Sequence, residues 1–176
     1  RPHPPGCCQQ SLRKEALLTL NHVLEALTGA PIDLSRLVIT EAAVDSRQVI
    51  PGSMFVALPG ERADGHNYVE EAFKHGASIA LVQRDMPAGL FTLDLTRAPL
   101  ITETTLPTAV RAGQPFCIKV ADTLASLQAI AAFWRAKLDL RVIGVTGSVG
   151  KSTTKELIFD VLCQRYRTLK NPGNQN

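Results

Sequence analysis

The chain has 176 residues, 19 Lys+Arg against 16 Asp+Glu for a formal net charge of +3, and 45% hydrophobic residues. That length holds one domain or one and part of a second, and that apolar content excludes disorder for the bulk of the chain. No apolar run approaches the roughly 20 residues that span a bilayer, no signal-like segment opens the chain, and no Lys/Arg cluster is dense enough to track a nucleic-acid backbone. The expectation is a cytoplasmic α/β protein with no nucleic-acid partner and no membrane insertion.

The Pro-rich, polar start through Gln10 has no apolar periodicity, and residues 1–14 read as a disordered leader. The start at Arg1 and the stop within the turn-rich Asn171-Pro172-Gly173-Asn174 stretch read as a piece of a longer polypeptide. Leu20, Val23, Leu24 and Leu27 have helical spacing, and Gly29 closes that helix. Two β-rich runs follow, Leu37-Val38-Ile39 and Met54 to Leu58, separated by Pro51-Gly52. Tyr68 to His75 reads as a helix stopped by Gly76, and Ala77 to Val82 as a buried strand. The first folded block is thus residues 15–84.

Pro87, Gly89, Pro99, Pro107 and Gly113 break up the next stretch, so residues 85–115 read as a linker or insertion. Phe116 to Val120 predicts a strand, and Asp122 caps a helix carrying Leu124, Leu127, Ile130, Ala131, Trp134 and Leu138 on one stripe, with Trp134 as a core anchor. A β-branched strand, Arg141 to Val145, then runs into Thr146-Gly147-Ser148-Val149-Gly150-Lys151-Ser152-Thr153-Thr154. The helix that follows has Leu157, Ile158, Val161 and Leu162 on its buried side. Cys163 falls on the same side and reads as a small buried hydrophobe; the four cysteines show no metal-binding spacing. His3, His22 and His75 have no companions that suggest a metal site.

Strand, glycine turn, Lys-Ser and helix is the context that a phosphate-binding loop requires. A polyphosphate needs several backbone N–H groups converging on it, which Gly147 and Gly150 allow by curling the chain tightly. The positive end of the following helix adds to the same anion site. Lys151 supplies a point charge for the β/γ-phosphates and Ser152 a hydroxyl for magnesium. The general G-x-x-x-x-G-K-[ST] pattern has Gly where this chain has Val145.

The Thr146 to Glu156 stretch resembles the ATP loop of the Mur ligases, the amide-forming enzymes of peptidoglycan precursor synthesis, whose T-G-[ST]-x-G-K-[ST]-[ST] form accommodates Val145. Asp45-Ser46-Arg47 followed by Pro51-Gly52-Ser53-Met54-Phe55-Val56-Ala57-Leu58-Pro59-Gly60 is similar to the signature of that family's N-terminal domain. Gly60 to Tyr68, with Asp64-Gly65-His66, is similar to a segment shared by the members that add the third amino acid and the D-alanyl-D-alanine dipeptide. Ser148-Val149, Lys155-Glu156 and the Asn171 to Asn176 tail resemble the dipeptide-adding branch.

The resemblance implies a small mixed α/β N-terminal substrate domain over 15–84 and the start of a P-loop, Rossmann-like ATPase domain over 116–176, truncated here. It implies an ATP- and magnesium-dependent ligase, monomeric, joining D-alanyl-D-alanine to UDP-N-acetylmuramoyl-tripeptide through an acyl phosphate, with this fragment alone inactive. Thr146, Gly147, Ser148, Val149, Gly150, Lys151, Ser152 and Thr153 would hold ATP, Lys151 as the catalytic residue and Ser152 as the magnesium ligand. Ser46, Arg47 and His66 match positions at the UDP end of the substrate. For Arg47 a surface ion pair is an equal alternative, and for His66 a structural role in its loop is favoured over a substrate contact. Asp45 can simply cap its turn, and Asp64 or Asn67 can cap the helix that follows. Asn174 and Asn176 match a family loop near the reacting phosphate. Two other readings are a ligase that adds the third amino acid and a nucleotide-binding fragment without catalysis. The Asp45-Ser46-Arg47 and Asp64-Gly65-His66 blocks argue against a folate-type ligase.

Overall fold

The strands that the sequence predicts as apolar runs come together as one parallel sheet, β1 (Ala42–Ala43), β2 (Met54–Val56), β3 (Ile79–Val82), β4 (Thr92–Asp94) and β5 (Phe116–Lys119), in the order β1-β2-β3-β5-β4. This computed structural model describes residues 17–33, 35, 37–60, 63–97 and 113–171. The leader, Asn174, Asn176 and most of the interior of the 85–115 stretch lie outside the described residues. The chain divides into two units at Leu138/Asp139.

Register sets the core of the first unit. Met54, Ile79 and Phe116 are paired in one row, and Val56, Leu81, Ile118 and Leu93 in another. Because side chains alternate across a strand, these rows all emerge on one face. Two helices cover that face: α1 (Leu20–Thr28), through Leu20, Val23 and Leu24, and α3 (Thr123–Lys137), through Ile130. The opposite face carries Ala43, Phe55, Ala57, Ala80, Val82 and Cys117, and α2 (Val69–Lys74) covers it with Val69 and Ala72. A parallel sheet needs both faces covered, which is why its strands read as continuous apolar runs and not as alternation.

Helix ends follow their predicted signals. Gly29 adopts φ 73° beyond α1 and its N–H bonds to the Glu25 carbonyl. The Asp122 side chain accepts from the Ala125 N–H and starts α3. The stripe on α3 is only partly covered: Thr123 and Ile130 are buried, Leu127 and Trp134 half-buried, and Leu124 and Ala131 exposed. Trp134 sits beside the His22 ring, with centroids 5.0 Å apart.

Four expectations are corrected. Leu37-Val38-Ile39 forms only a single bridge, Val38 to Thr19, because its neighbour is the short lead-in to α1: Ile39 N–H donates to the Leu18 carbonyl, the Leu37 carbonyl accepts from Leu20 N–H, and Leu37 N–H turns to the Ser35 hydroxyl. Part of the predicted linker is structural, since Thr92–Asp94 is the sheet's edge strand. The block predicted to begin at residue 116 does not part from the first unit there: β5 lies between β3 and β4, and α3 packs on α1 and β2. In the second unit, 141–145 forms no ladder, and α4 (Lys151–Leu162) leaves Leu157, Val161 and Cys163 exposed because nothing among its described residues packs on that side.

Burial predicts unequal mutational costs. Leu81→Ala, in the centre of the first face, is expected to lower the unfolding free energy by about 2–5 kcal/mol in urea titration. Leu157→Ala, 61% exposed, should stay within about 0.5 kcal/mol. Equal losses at the two positions would contradict this packing.

Candidate functional site

In the first unit the loops that carry the candidate residues leave the C-terminal ends of β1, β2 and β3. After β1, Asp45 accepts from the Arg47 N–H at 3.0 Å and opens a short 3-10 turn, Ser46–Gln48. Its carboxylate also takes Arg47 Nε at 2.9 Å and a terminal guanidinium nitrogen at 2.7 Å, a bidentate pair. These hydrogen bonds, side chain first and backbone second, pull the Asp45 pKa down to about 2, and the carboxylate in turn raises that of Arg47. The Arg47 side chain is 80% exposed. Ser46 is buried, and its carbonyl lies 2.8 Å from His75 Nδ1, which ties the turn to the end of α2.

After β2 the chain returns to its own start. The Gly65 N–H donates to the Leu58 carbonyl at 2.9 Å, and a Cβ at residue 65 would stand 2.8 Å from the Leu58 nitrogen. Only glycine fits so close an approach. Asp64 then opens a second 3-10 turn, Gly65–Tyr68, by accepting from the His66 N–H at 3.0 Å. The His66 ring is turned inward and is 3% exposed. Its Nε2 accepts from the Gln83 N–H at 3.0 Å, which leaves the ring proton on Nδ1, 2.5 Å from Asp64 Oδ1. Both ring nitrogens therefore have partners within the protein, so the ring has no unpaired nitrogen to offer a substrate. Hydrogen bonds from the His66 backbone and then its ring hold the Asp64 carboxyl below the usual range.

Arg84 extends the cluster. Its guanidinium lies 3.0 Å from Asp64 Oδ2 and donates to Asn67 Oδ1 at 2.8 Å. His66, Asn67, Glu70, Arg84 and Met86 line part of an open groove of about 580 Å³. Gln83, Arg84 and Thr123 were not singled out in the sequence. The available signal was position, since Gln83 and Arg84 directly follow the apolar run that forms β3 and Thr123 follows the helix cap.

In the second unit the glycine turn leads into α4. Gly147 and Gly150 adopt φ 145° and φ 81°, backbone that favours glycine, and residues 146–150 are exposed. Gly150 occupies the N-cap position with no side-chain cap, and the first turn of α4 carries no acidic residue. The cationic Lys151 and the positive end of the helix therefore stand together. Lys151 Nζ donates to the Gly147 carbonyl at 2.5 Å, closing the turn on itself. Below it Lys155 donates to the Asn171 carbonyl at 3.1 Å, and Glu156 pairs with Lys170, which lowers the Glu156 pKa. Curled glycine backbone, an uncapped helix start, a lysine and a serine hydroxyl form a donor set suited to a magnesium-bound polyphosphate. Among the described residues no cluster of His, Cys, Asp and Glu could itself hold a metal, and no helix is long and apolar enough to cross a membrane.

A parallel sheet with helices on both faces defines the class, an α/β protein, and the glycine, Lys-Ser turn that opens α4 has the residue order of a phosphate-binding loop, with no laddered strand at 141–145 before it. Residues 38–135 match the Mur ligase family, catalytic domain, and the chain belongs to that family. It is 36% identical over 164 residues to the UDP-N-acetylmuramoyl-tripeptide--D-alanyl-D-alanine ligase of Treponema pallidum, covering 91% of this chain and 32% of that one. A crystal structure of MurF from Acinetobacter baumannii covers 90% of the chain and 31% of its own at 30% identity and a TM-score of 0.63. MurF ligase from Thermotoga maritima, in complex with ADP, covers 81% and 27% at 27% identity and a TM-score of 0.58. The chain thus spans about a third of the length of the relatives it matches.

The Asp45–Arg47 pair is directly testable. By carbon-detected NMR the Asp45 carboxylate should titrate near pH 2, below its ordinary 3.8, and Arg47→Ala should return it upward. Because the folded value is the depressed one, any stability from the pair is present above the unfolded pKa and is lost as pH falls through about 2. An Asp45 that already titrates at its ordinary value would break the pairing.

Proposed function

We propose that this chain is the opening third of an ATP-dependent amide ligase that joins D-alanyl-D-alanine to UDP-N-acetylmuramoyl-tripeptide. The observation that carries the reading is the Thr146 to Thr153 turn at the uncapped start of α4, in a chain that belongs to the Mur ligase family. The names of its relatives supply the substrates. ATP transfers its terminal phosphoryl group to the tripeptide's carboxylate oxygen, giving an acyl phosphate and ADP. The dipeptide amine then attacks the carbonyl carbon, the C–O bond to phosphate breaks, and an amide and inorganic phosphate result. A carboxylate repels an amine and has no good leaving group, so activation must come first.

The residues of the turn have separable parts. The amides of Gly147 to Gly150 and of the first turn of α4 bind the phosphates by direction, and Thr146 and Thr153 flank them. Lys151, released from the Gly147 carbonyl, stabilises charge on the transferring phosphoryl group. Ser152 is the residue that would hold magnesium, which would supply screening of the phosphate charges. Arg47 takes the diphosphate of the UDP end by a two-pronged contact, in competition with Asp45. Ser46 serves that end by holding the turn, and His66 by supporting its loop. The chain by itself binds nucleotide without ligating, since it spans a third of its relatives. The enzyme works as a cytoplasmic monomer.

Lys151→Ala in the full-length enzyme is expected to lower kcat by about 10²–10³-fold, read by ADP release, while calorimetry finds the UDP-substrate affinity unchanged. Unchanged turnover would take the loop out of the mechanism. Arg47→Ala should weaken UDP-substrate binding about tenfold or more in the same calorimetric titration. An unaltered dissociation constant would leave Arg47 as a surface ion pair.

A further inference from the structure

One polar network at the C-terminal edge of the sheet has no role in the ligand contacts assigned above, and Gln83 is its centre. The Gln83 N–H donates to His66 Nε2 at 3.0 Å, while its side-chain Oε1 accepts from the Thr123 N–H at 3.2 Å. The Thr123 hydroxyl lies 3.1 Å from the same oxygen and donates to the Ala57 carbonyl at 2.9 Å. One residue at the end of β3 therefore ties together the end of β2, the turn that follows it and the first residue of α3. His66 and Thr123 are buried, and every buried side-chain polar atom among the described residues has a partner.

Such a network is a poor means of gaining stability, because desolvating its members offsets much of what their hydrogen bonds return. What it does supply is fixed spacing between segments that otherwise leave the sheet independently. The place where it does so is specific. Met86 and Leu90, beyond β3, pack on the alanine-rich face, while α3, beyond β5, packs on the opposite face. The chain therefore departs to opposite sides from two adjacent strands, and in open α/β sheets ligands bind in the crevice at such a point, outside the carboxyl ends of the strands. The groove lined by His66, Asn67 and Arg84 is built from the segments that follow β2 and β3, on the β3 side of that point, and its polar wall is set by the same network: His66 through the Gln83 N–H, and Arg84 and Asn67 through Asp64.

We infer that Gln83 is a positioning residue for the sugar-nucleotide end of the site: its side chain fixes the start of α3 against the end of β3, whose main chain carries the Asp64–Asn67 turn through His66, so that the groove presents one geometry to its ligand. This rests on the ligase reading above. Gln83 touches neither the reacting atoms nor the phosphate loop, so its loss acts on the binding of one substrate and leaves the chemistry intact.

The experiment uses the full-length enzyme with Gln83→Met, which keeps the side chain's volume and removes the acceptor, and Gln83→Glu, which keeps an acceptor oxygen. Steady-state kinetics with UDP-N-acetylmuramoyl-tripeptide, ATP and D-alanyl-D-alanine separate the effects. Gln83→Met is expected to raise KM for the UDP substrate about 5–10-fold, with kcat and KM for ATP within about twofold, and Gln83→Glu to restore most of that KM. An unchanged KM for the UDP substrate overturns the assignment. So does a joint fall of all constants, a Gln83→Glu variant no better than Gln83→Met, or a Gln83→Met chain that does not fold, each of which marks the network as structural only. Absence of turnover in the wild-type enzyme sinks the ligase reading itself and this assignment with it.

Discussion

The constraint on which the first unit depends is that a parallel sheet must be buried on both faces. β3 and β5 lie inside the sheet, and each presents apolar side chains to both sides. Helices α1 and α3 serve one face and α2 the other, so among the described residues both faces of the inner strands are apolar, and the charged candidates stand at the strand ends. Every candidate residue of this unit lies at the carboxyl end, where Asp45, Asp64, Gln83 and Arg84 each stand just beyond a strand or in the loop that follows one. The chemistry is at the edge because nowhere else in the sheet can accept a charged group without a large desolvation cost.

The two cations proposed above for ligand contacts, Arg47 and Lys151, share an arrangement with different consequences. Arg47 is held by the Asp45 carboxylate through two charged hydrogen bonds, whereas Lys151 is held by a single backbone carbonyl. A phosphate competing for Lys151 displaces a neutral oxygen and meets an uncapped helix start as well. One competing for Arg47 must displace a like-charged group on the same short turn. Exposure tempers that second cost, because water screens the Asp45–Arg47 pair.

Much of this was legible in the residues. Met54 to Val56, Ile79 to Val82 and Phe116 to Lys119 announced themselves as apolar runs, and Asp122 and Gly29 marked helix ends by local hydrogen bonding. Local signals failed where the deciding interaction was distant. Leu37-Val38-Ile39 has the composition of a strand and meets only the short lead-in to α1, in one bridge, while Thr92–Asp94, in a stretch broken by Pro and Gly, gains a full partner in β5. Nothing in the order of the sequence says that β5 slots in between β3 and β4, so its block was read as starting the next domain. The glycine turn was legible because its chemistry is contained in nine successive residues. His66 was legible as a candidate, but its partner Gln83 is 17 residues away and Thr123 another 40 beyond that.

The two faces of the sheet differ in grain. One is built of Met, Val, Ile, Leu and Phe, the other largely of Ala43, Ala57, Ala72, Ala77, Ala80 and Cys117, with Phe55, Val69 and Val82 as its larger fully buried side chains. Branched aliphatics can exchange volume among themselves, whereas alanines set against a helix leave no slack to redistribute. Cys117 shows how dry that side is, since burial pushes its thiol up to about 12 and leaves it unreactive toward oxidants and alkylating agents at neutral pH. A designer reshaping this unit would therefore have latitude on the aliphatic side and almost none on the alanine side, where one added methylene would lift α2 away from the strands and carry the Asp64–Tyr68 turn with it.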